Sequence, residues 1–196
     1  VKKPYHGGIE VEPILLDFPS ELYSARLWIR MPMPGDGKMV YEAINVSREE
    51  LQVWLPFAKH KQSLEETEAN VREAHAEFLT RKDLRFHIFH KETGEFIGST
   101  GLHRMNWNVP KFEIGYWIDT RQSGKGYITE AVEALTNFAF DVLQARRVEI
   151  RCDEKNSKSR AIPEKLGFYL EGTLRHDDVA VDGKDLRNTC IYSKIK

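Results

Sequence analysis

The hydrophobic and polar positions divide the chain into short strand-like runs and longer helix-like ones. Strand-like runs are expected at Ala25–Met31, Arg85–His90, Phe96–Met105, Phe112–Asp119, Arg147–Cys152, near Phe168–Gly172 and near Asn188–Ile195. Helices are expected over Lys38–Val46, and from Ser47-Arg48-Glu49-Glu50, a capping-box pattern, to the stop at Trp54-Leu55-Pro56. Ser63-Leu64-Glu65-Glu66 is a second capping box. It leads a helix to about Leu79 with Leu64, Val71, Ala74 and Phe78 on one stripe. A further helix over Tyr127–Val142 turns Ile128, Ala131, Val132, Leu135, Phe138 and Val142 inward. Strands first, then a strand–loop–helix–strand unit, indicate an α+β or mixed α/β fold built on one sheet. No repeats, low-complexity tracts or linkers interrupt it.

The chemistry concentrates where the Phe112–Asp119 strand meets the Tyr127 helix. Arg121-Gln122-Ser123-Gly124-Lys125-Gly126 fills that junction. Backbone N–H groups at a helix start have no intrahelical partner, and the macrodipole adds positive potential there. Gly124 and Gly126 lack the Cβ atoms that would hold a diphosphate off the backbone, and Lys125 and Arg121 can add charge. The junction therefore suits a phosphorylated, nucleotide-like cofactor. It is not a P-loop, because Lys125 precedes Gly126 and no first glycine stands at the required spacing. It is not the dinucleotide fingerprint either, because Thr129 occupies the third glycine position.

Downstream, Asn156-Ser157-Lys158-Ser159 leads into Glu164-Lys165-Leu166-Gly167-Phe168. Gly167 suits the left-handed position after a helix. With Arg-x-x-Gly-x-Gly upstream, this resembles the GCN5-related N-acetyltransferases, the GNAT superfamily, with their [QR]-x-x-G-x-[GA] loop and N-x-x-S-x-x-x-x-E-K-L-G-F helix. From about Ala25 to Ile195 the chain is similar to the RimJ/RimL-like subfamily of ribosomal-protein N-terminal acetyltransferases. Arg26-Leu27-Trp28-Ile29-Arg30, Glu113-Ile114-Gly115-Tyr116-Trp117-Ile118-Asp119, Leu170-Glu171-Gly172-Thr173-Leu174-Arg175 and Asp182-Gly183 carry that similarity. Pro163 departs from the pattern by removing one backbone donor from the motif helix, at small cost if it falls in the first turns.

The resemblance implies a GNAT fold: a twisted, mixed central sheet with helices on both faces, over residues 25–196, preceded by an extension over residues 1–24. It implies acetyl-CoA as acetyl donor and direct transfer to an amine in a ternary complex. Cofactor contacts would come from Trp117, Ile118, Asp119, Arg121, Gln122, Ser123, Gly124, Lys125, Gly126, Thr129, Asn156 and Lys165. Backbone groups of Trp117 to Asp119 would pair with the pantetheine arm as an added half-strand does. Ser159 would serve the departing thiolate, or alternatively cap its own helix, and Asn156 has the same alternative. Asp178 stands where the subfamily carries an acidic base, with Asp177 beside it, and Glu113 is the rival. Trp54 and Phe57 are weaker acceptor-side candidates. The acceptor implied is an α-amine, such as a ribosomal protein N-terminus. The alternatives are a small-molecule amine (a polyamine or aminoglycoside) and a non-catalytic acetyl-CoA-binding module.

Composition narrows this further. The 196 residues suit one domain burying roughly 70% of its unfolded surface. A net charge of −1 provides no global field for nucleic acid or an anionic membrane. No run approaches a membrane span, and Val1–Gly8 has no signal-peptide core, so a cytoplasmic location is expected. Ser47 then reads as a helix cap rather than part of a glycosylation sequon. Cys152 and Cys190 fall in strand-like runs as reduced thiols. His87 and His90 lie three apart on one strand and face opposite sides, so no metal site is expected. Asp177, Asp178, Asp182 and Asp185 lack EF-hand spacing but could attract a cationic substrate. A homodimer is common in such families, and the sequence shows no interface for one.

Overall fold

The computed structural model describes residues 12–196, and its strands join in a single mixed sheet. In chain order the elements are β1 (Glu21–Tyr23), β2 (Leu27–Arg30), α1 (Gly37–Val46), α2 (Arg48–Trp54), α3 (Leu64–Leu79), β3 (Leu84–His90), β4 (Phe96–Asn106) and β5 (Lys111–Ile118). They continue with α4 (Tyr127–Asp141), β6 (Arg147–Asp153), α5 (Ser157–Lys165), β7 (Tyr169–Val179) and β8 (Leu186–Ile195). The spatial order is β1-β2-β3-β4-β5-β6-β8-β7, and every neighbouring pair is antiparallel except β5 with β6.

The parity of β5 assigns the two faces. Phe112 and Ile114 join Ile128, Leu135 and Phe138 of α4 in the main core. Trp117, of opposite parity, packs on a smaller cluster of Val40 and Ile44 from α1 with Val71 from α3. Helices therefore cover both faces, as expected. The inward stripe of α4 is buried as expected except Val142, which lies past the helix end and is 45% exposed. In α3 the Ser63 capping box forms in full. Leu64, however, is exposed, and Thr67 takes the buried place with its hydroxyl on Ser63 O at 2.9 Å.

Other elements also differ from the sequence expectation. Strand β1 lies inside the segment expected as an extension, and Phe18 just before it packs edge-on to Phe78 and Phe138. Residues 1–11 of that segment lie outside the described residues. Strand β7 runs on to Val179, so Asp177 and Asp178 stand on a strand rather than a loop. Ser47 does not cap α2. It joins α1 to α2 with near-helical backbone angles, and its fully buried hydroxyl accepts from Thr120 N at 2.8 Å. Pro163 sits in the second half of α5, not its first turns.

One buried ionic group holds the α1 entry to the sheet. Asp36 accepts two hydrogen bonds from Arg30, at 2.7 and 2.8 Å, one from His87 Nδ1 at 2.9 Å and one from Met33 N at 2.9 Å. Burial alone would raise the Asp36 carboxyl, but the Arg30 and His87 hydrogen bonds override it and hold the group well below the usual carboxylate range. Burial pushes His87 down, against the pull of Asp36, so the imidazole is a neutral donor. Asp36→Ala leaves the buried His87 without its acceptor and the half-buried Arg30 with Met31 O alone. We expect it to cost about 3–5 kcal/mol in urea unfolding at neutral pH. The carboxyl is depressed in the folded state, so its contribution is present above the unfolded value of about 3.9 and is lost as pH falls below it. The deficit of the variant should accordingly shrink in acid.

Candidate active site

Strands β5 and β6 pair only from Lys111–Arg147 to Glu113–Glu149 and then separate. Strand β5 continues alone on that side through Ile118, while β6 stays bonded to β8 as far as Asp153. Asp119 N donates to Ile97 O at 2.8 Å, so the N–H of Asp119 faces β4. Alternation along an antiparallel strand gives Trp117 the same direction and turns the N–H and C=O of Ile118 and Tyr116 toward the opening. Of the three residues expected to offer backbone groups there, Ile118 does so, and Tyr116 is the addition.

The strand ends in the glycine loop. Asp119, buried, caps the turn Thr120–Gln122 through Arg121 N at 2.9 Å. The Arg121 guanidinium folds back on the same carboxylate at 2.5–3.1 Å, so its charge is largely matched. Gly124 and Gly126 have φ of +77° and +79°, backbone that side chains rarely adopt. Nothing stands within 4 Å of the place a Gly124 Cβ would take. Gly126 is the N-cap of α4 and provides no side-chain cap, so the first-turn amides of Tyr127, Ile128 and Thr129 remain for an outside acceptor. Lys125 Nζ, at 2.8 Å from Gln122 Oε1, adds exposed charge; Arg26 donates from Nη1 to Lys125 O at 3.0 Å, but its charge is matched by Glu130 at 2.7 Å. Sequence reasoning missed Arg26, which lies a hundred residues upstream. Open space, two left-handed glycines and an uncapped helix start fit a diphosphate. The Ser47–Thr120 bond ties this loop to the α1–α2 junction.

Helix α5 flanks the opening. Asn156 Oδ1 caps it by accepting from Ser159 N at 3.0 Å, and the Asn156 amide NH2 has no hydrogen bond among the described residues. Ser159 Oγ lies 3.2 Å from Tyr116 Oη. Burial, reinforced by the neighbouring Cys190, pushes the nearby Cys152 thiol up to about 11, so the thiol is protonated at neutral pH. Lys165 closes the last turn of α5, away from the glycine loop in sequence and exposed.

A cavity of about 310 Å³ brings the rival carboxylates together: Glu113, Asp177 and Asp178 all line it, with Cys152. Each carboxylate faces an arginine that sequence reasoning did not single out. Arg104 is 3.4 Å from Glu113, Arg151 is 3.2 Å from Asp177, and Arg187 is 3.2 Å from Asp178. Arg187 Nε and Thr189 Oγ1 are buried here without a hydrogen-bond partner among the described residues. A neighbouring cavity of about 520 Å³ shares Arg187 and lies between Trp54 on α2 and Asp182 and Asp185 before β8. Phe57 packs on Trp117 instead, with ring centroids 6.1 Å apart.

A family description, acetyltransferase (GNAT) domain, matches residues 26–169. This chain belongs to the GNAT acetyltransferases. It is 33% identical over 169 residues to YdaF of Bacillus subtilis, a provisionally named ribosomal N-acetyltransferase, covering 86% of this chain and 90% of the relative. It is 30% identical over 158 residues to the ribosomal-protein-serine acetyltransferase of Escherichia coli, covering 81% and 86%. The solved structure of RimL, ribosomal L7/L12 alpha-N-protein acetyltransferase in complex with coenzyme A, shares the fold with a TM-score of 0.81 at 23% identity, over 88% of this chain and 95% of that one. The chain is accordingly an acetyl-CoA-dependent N-acetyltransferase, similar to RimL/RimJ-type ribosomal-protein acetyltransferases. No described helix is long and apolar enough to cross a membrane.

Gly124→Glu would place a side chain in the open space before α4, on left-handed backbone that disfavours one, and a carboxylate that competes with phosphate for the helix-start amides. We expect calorimetry to detect no acetyl-CoA binding by this variant while it unfolds cooperatively.

Proposed function

We propose that this acetyltransferase acetylates the α-amine of a protein N-terminus, with a ribosomal protein as acceptor, by direct transfer in a ternary complex. The observation that carries the choice of acceptor is the pair of unpartnered groups in the carboxylate cavity. Arg187 Nε–H can be satisfied only by an acceptor atom, and Thr189 Oγ1 can also donate. A peptide N-terminus carries a carbonyl oxygen two bonds from its amine carbon. A polyamine carries no carbonyl, so it would leave Arg187 Nε unmatched, at the cost of an orphaned buried donor. The names of the relatives point the same way.

The residues then divide the work. The first-turn amides of α4, with Lys125, Gly124 and Gly126, hold the pyrophosphate. Tyr116 and Ile118 backbone groups, with the Asn156 amide, hold the arm in the opening. Bound acetyl-CoA supplies a thioester carbonyl activated for attack. Glu113 or Asp178 takes the proton the amine releases, Asp178 through a water because its side chain is short. Ser159 donates toward the departing sulfur. An α-amine of pKa about 7.7–8.0 is partly neutral at pH 7, so such a site needs only a path for one proton, whereas a lysine near 10.4 needs far more help.

The acidic run Asp177, Asp178, Asp182 and Asp185 favours a second reading, a polycationic small amine. A shorter match, 32% identity over 84 residues to the spermidine N(1)-acetyltransferase of Escherichia coli, accompanies it, covering 43% of this chain and 45% of that one. Free thiol release from acetyl-CoA, run with peptides copying ribosomal protein N-termini beside spermidine and aminoglycosides, separates the two. We expect turnover with peptides, and turnover with small amines alone overturns the choice. With peptide, kcat/KM should rise about tenfold per pH unit and level off near pH 7.7–8.0, as the free α-amine does. Arg187→Ala should lower kcat/KM for peptide by about tenfold, the worth of one hydrogen bond to a charged group.

A further inference from the structure

We infer that Tyr116 is a positioning residue for Ser159, gripping it partly through a carbonyl that Pro163 leaves without its helix partner. Proline has no N–H, so at position 163 it cannot return the hydrogen bond that an α-helix directs to the carbonyl four residues earlier. That carbonyl is Ser159 O. Tyr116 Oη–H fills the gap at 2.8 Å, reaching across from β5. The tyrosine proton is thereby committed to a backbone oxygen. Its Oη can then act only as acceptor toward Ser159, whose Oγ–H donates to it at 3.2 Å. One phenol therefore grips Ser159 twice, by its carbonyl and by its hydroxyl, and Asn156 grips it a third time through its N–H at 3.0 Å.

This arrangement fixes the serine rotamer and presents its single proton beside the opening that Tyr116 itself borders. Burial raises the Tyr116 hydroxyl above its ordinary range, against the Ser159 hydrogen bond, so the phenol stays neutral and its geometry does not change with pH in the working range. The 3.2 Å bond is long, and Ser159 can exchange it for a better acceptor, a sulfur carrying developing negative charge. The inference rests on the proposal that Ser159 serves that sulfur. It adds that the service depends on a strand residue whose own proton goes to the carbonyl that the helix proline leaves unmatched.

Kinetics and thermal unfolding of Tyr116→Phe, Pro163→Ala, the double variant and Ser159→Ala test this. Tyr116→Phe should lower kcat about tenfold, with KM for acetyl-CoA changed less than about twofold, because the lost hydrogen bonds orient a reacting group rather than bind cofactor. Pro163→Ala returns an N–H to Ser159 O within the helix. The melting temperature lost on removing the phenol should therefore be smaller in the Pro163→Ala background than in wild type, while the loss in kcat stays the same in both. If kcat recovers together with the melting temperature, or if Tyr116→Phe keeps wild-type kcat while Ser159→Ala is slow, Tyr116 only staples the helix and the inference fails. If Ser159→Ala itself keeps wild-type kcat, the role of Ser159 falls and the positioning role falls with it.

Discussion

The separation of β5 from β6 is the constraint on which the rest of the site depends. In an uninterrupted sheet the N–H and C=O of Tyr116 and Ile118 would be matched by β6, and no ligand could compete for them. Pairing stops after Glu113 and Glu149, and ion pairs hold the base of the opening together. There Arg147 holds Glu149 at 2.6 Å and Glu171 at 2.5 Å, and Lys111 reaches Glu149 at 3.9 Å. The Arg147 hydrogen bond holds the Glu171 carboxyl down to about 2. Toward its other end β6 remains fully paired with β8, so it follows that strand and leaves β5. The vacant strand edge is one that an extended ligand can complete.

The two sides of the opening then acquire different chemistry from the elements at hand. On the α4 side, an uncapped helix start follows two glycines in left-handed backbone, and the Lys125 cation stands at its rim. On the other side, carboxylates and arginines alternate around a cavity that retains unmatched polar atoms. The Ser47–Thr120 bond links the α1–α2 junction to the turn before the glycine loop.

Much of this was legible in the sequence for physical reasons. Left-handed backbone at Gly124, Gly126 and Gly167 restricts the residue type, so it leaves a mark at each position. Capping boxes and inward stripes are local, and they marked α3 and α4 within a residue or two. Asn156 was legible only as an ambiguity, cap or cofactor contact, and its two functional groups allow both. What the sequence hid was tertiary. Arg26 beside the loop, Ser47 against Thr120 and Tyr116 against Ser159 are separated by 99, 73 and 43 residues, and no local pattern encodes them. Ser47 misled because it fits a capping box, yet its near-helical backbone left the hydroxyl for another partner. Pro163 misled by about one turn, and that turn decides which carbonyl goes unmatched. Arg104, Arg151 and Arg187 looked like any other strand arginines until the fold set each against a carboxylate.

The most direct test of the central claim is amide hydrogen exchange, resolved residue by residue by NMR, with and without acetyl-CoA. The free edge of β5 predicts that the Ile118 amide, and those of Tyr127, Ile128 and Thr129, slow markedly on binding. Trp117 and Asp119, already bonded to β4, should change little. An Ile118 amide that exchanges at the same rate with cofactor bound would contradict the account, because the opening between β5 and β6 would then not be where acetyl-CoA lies.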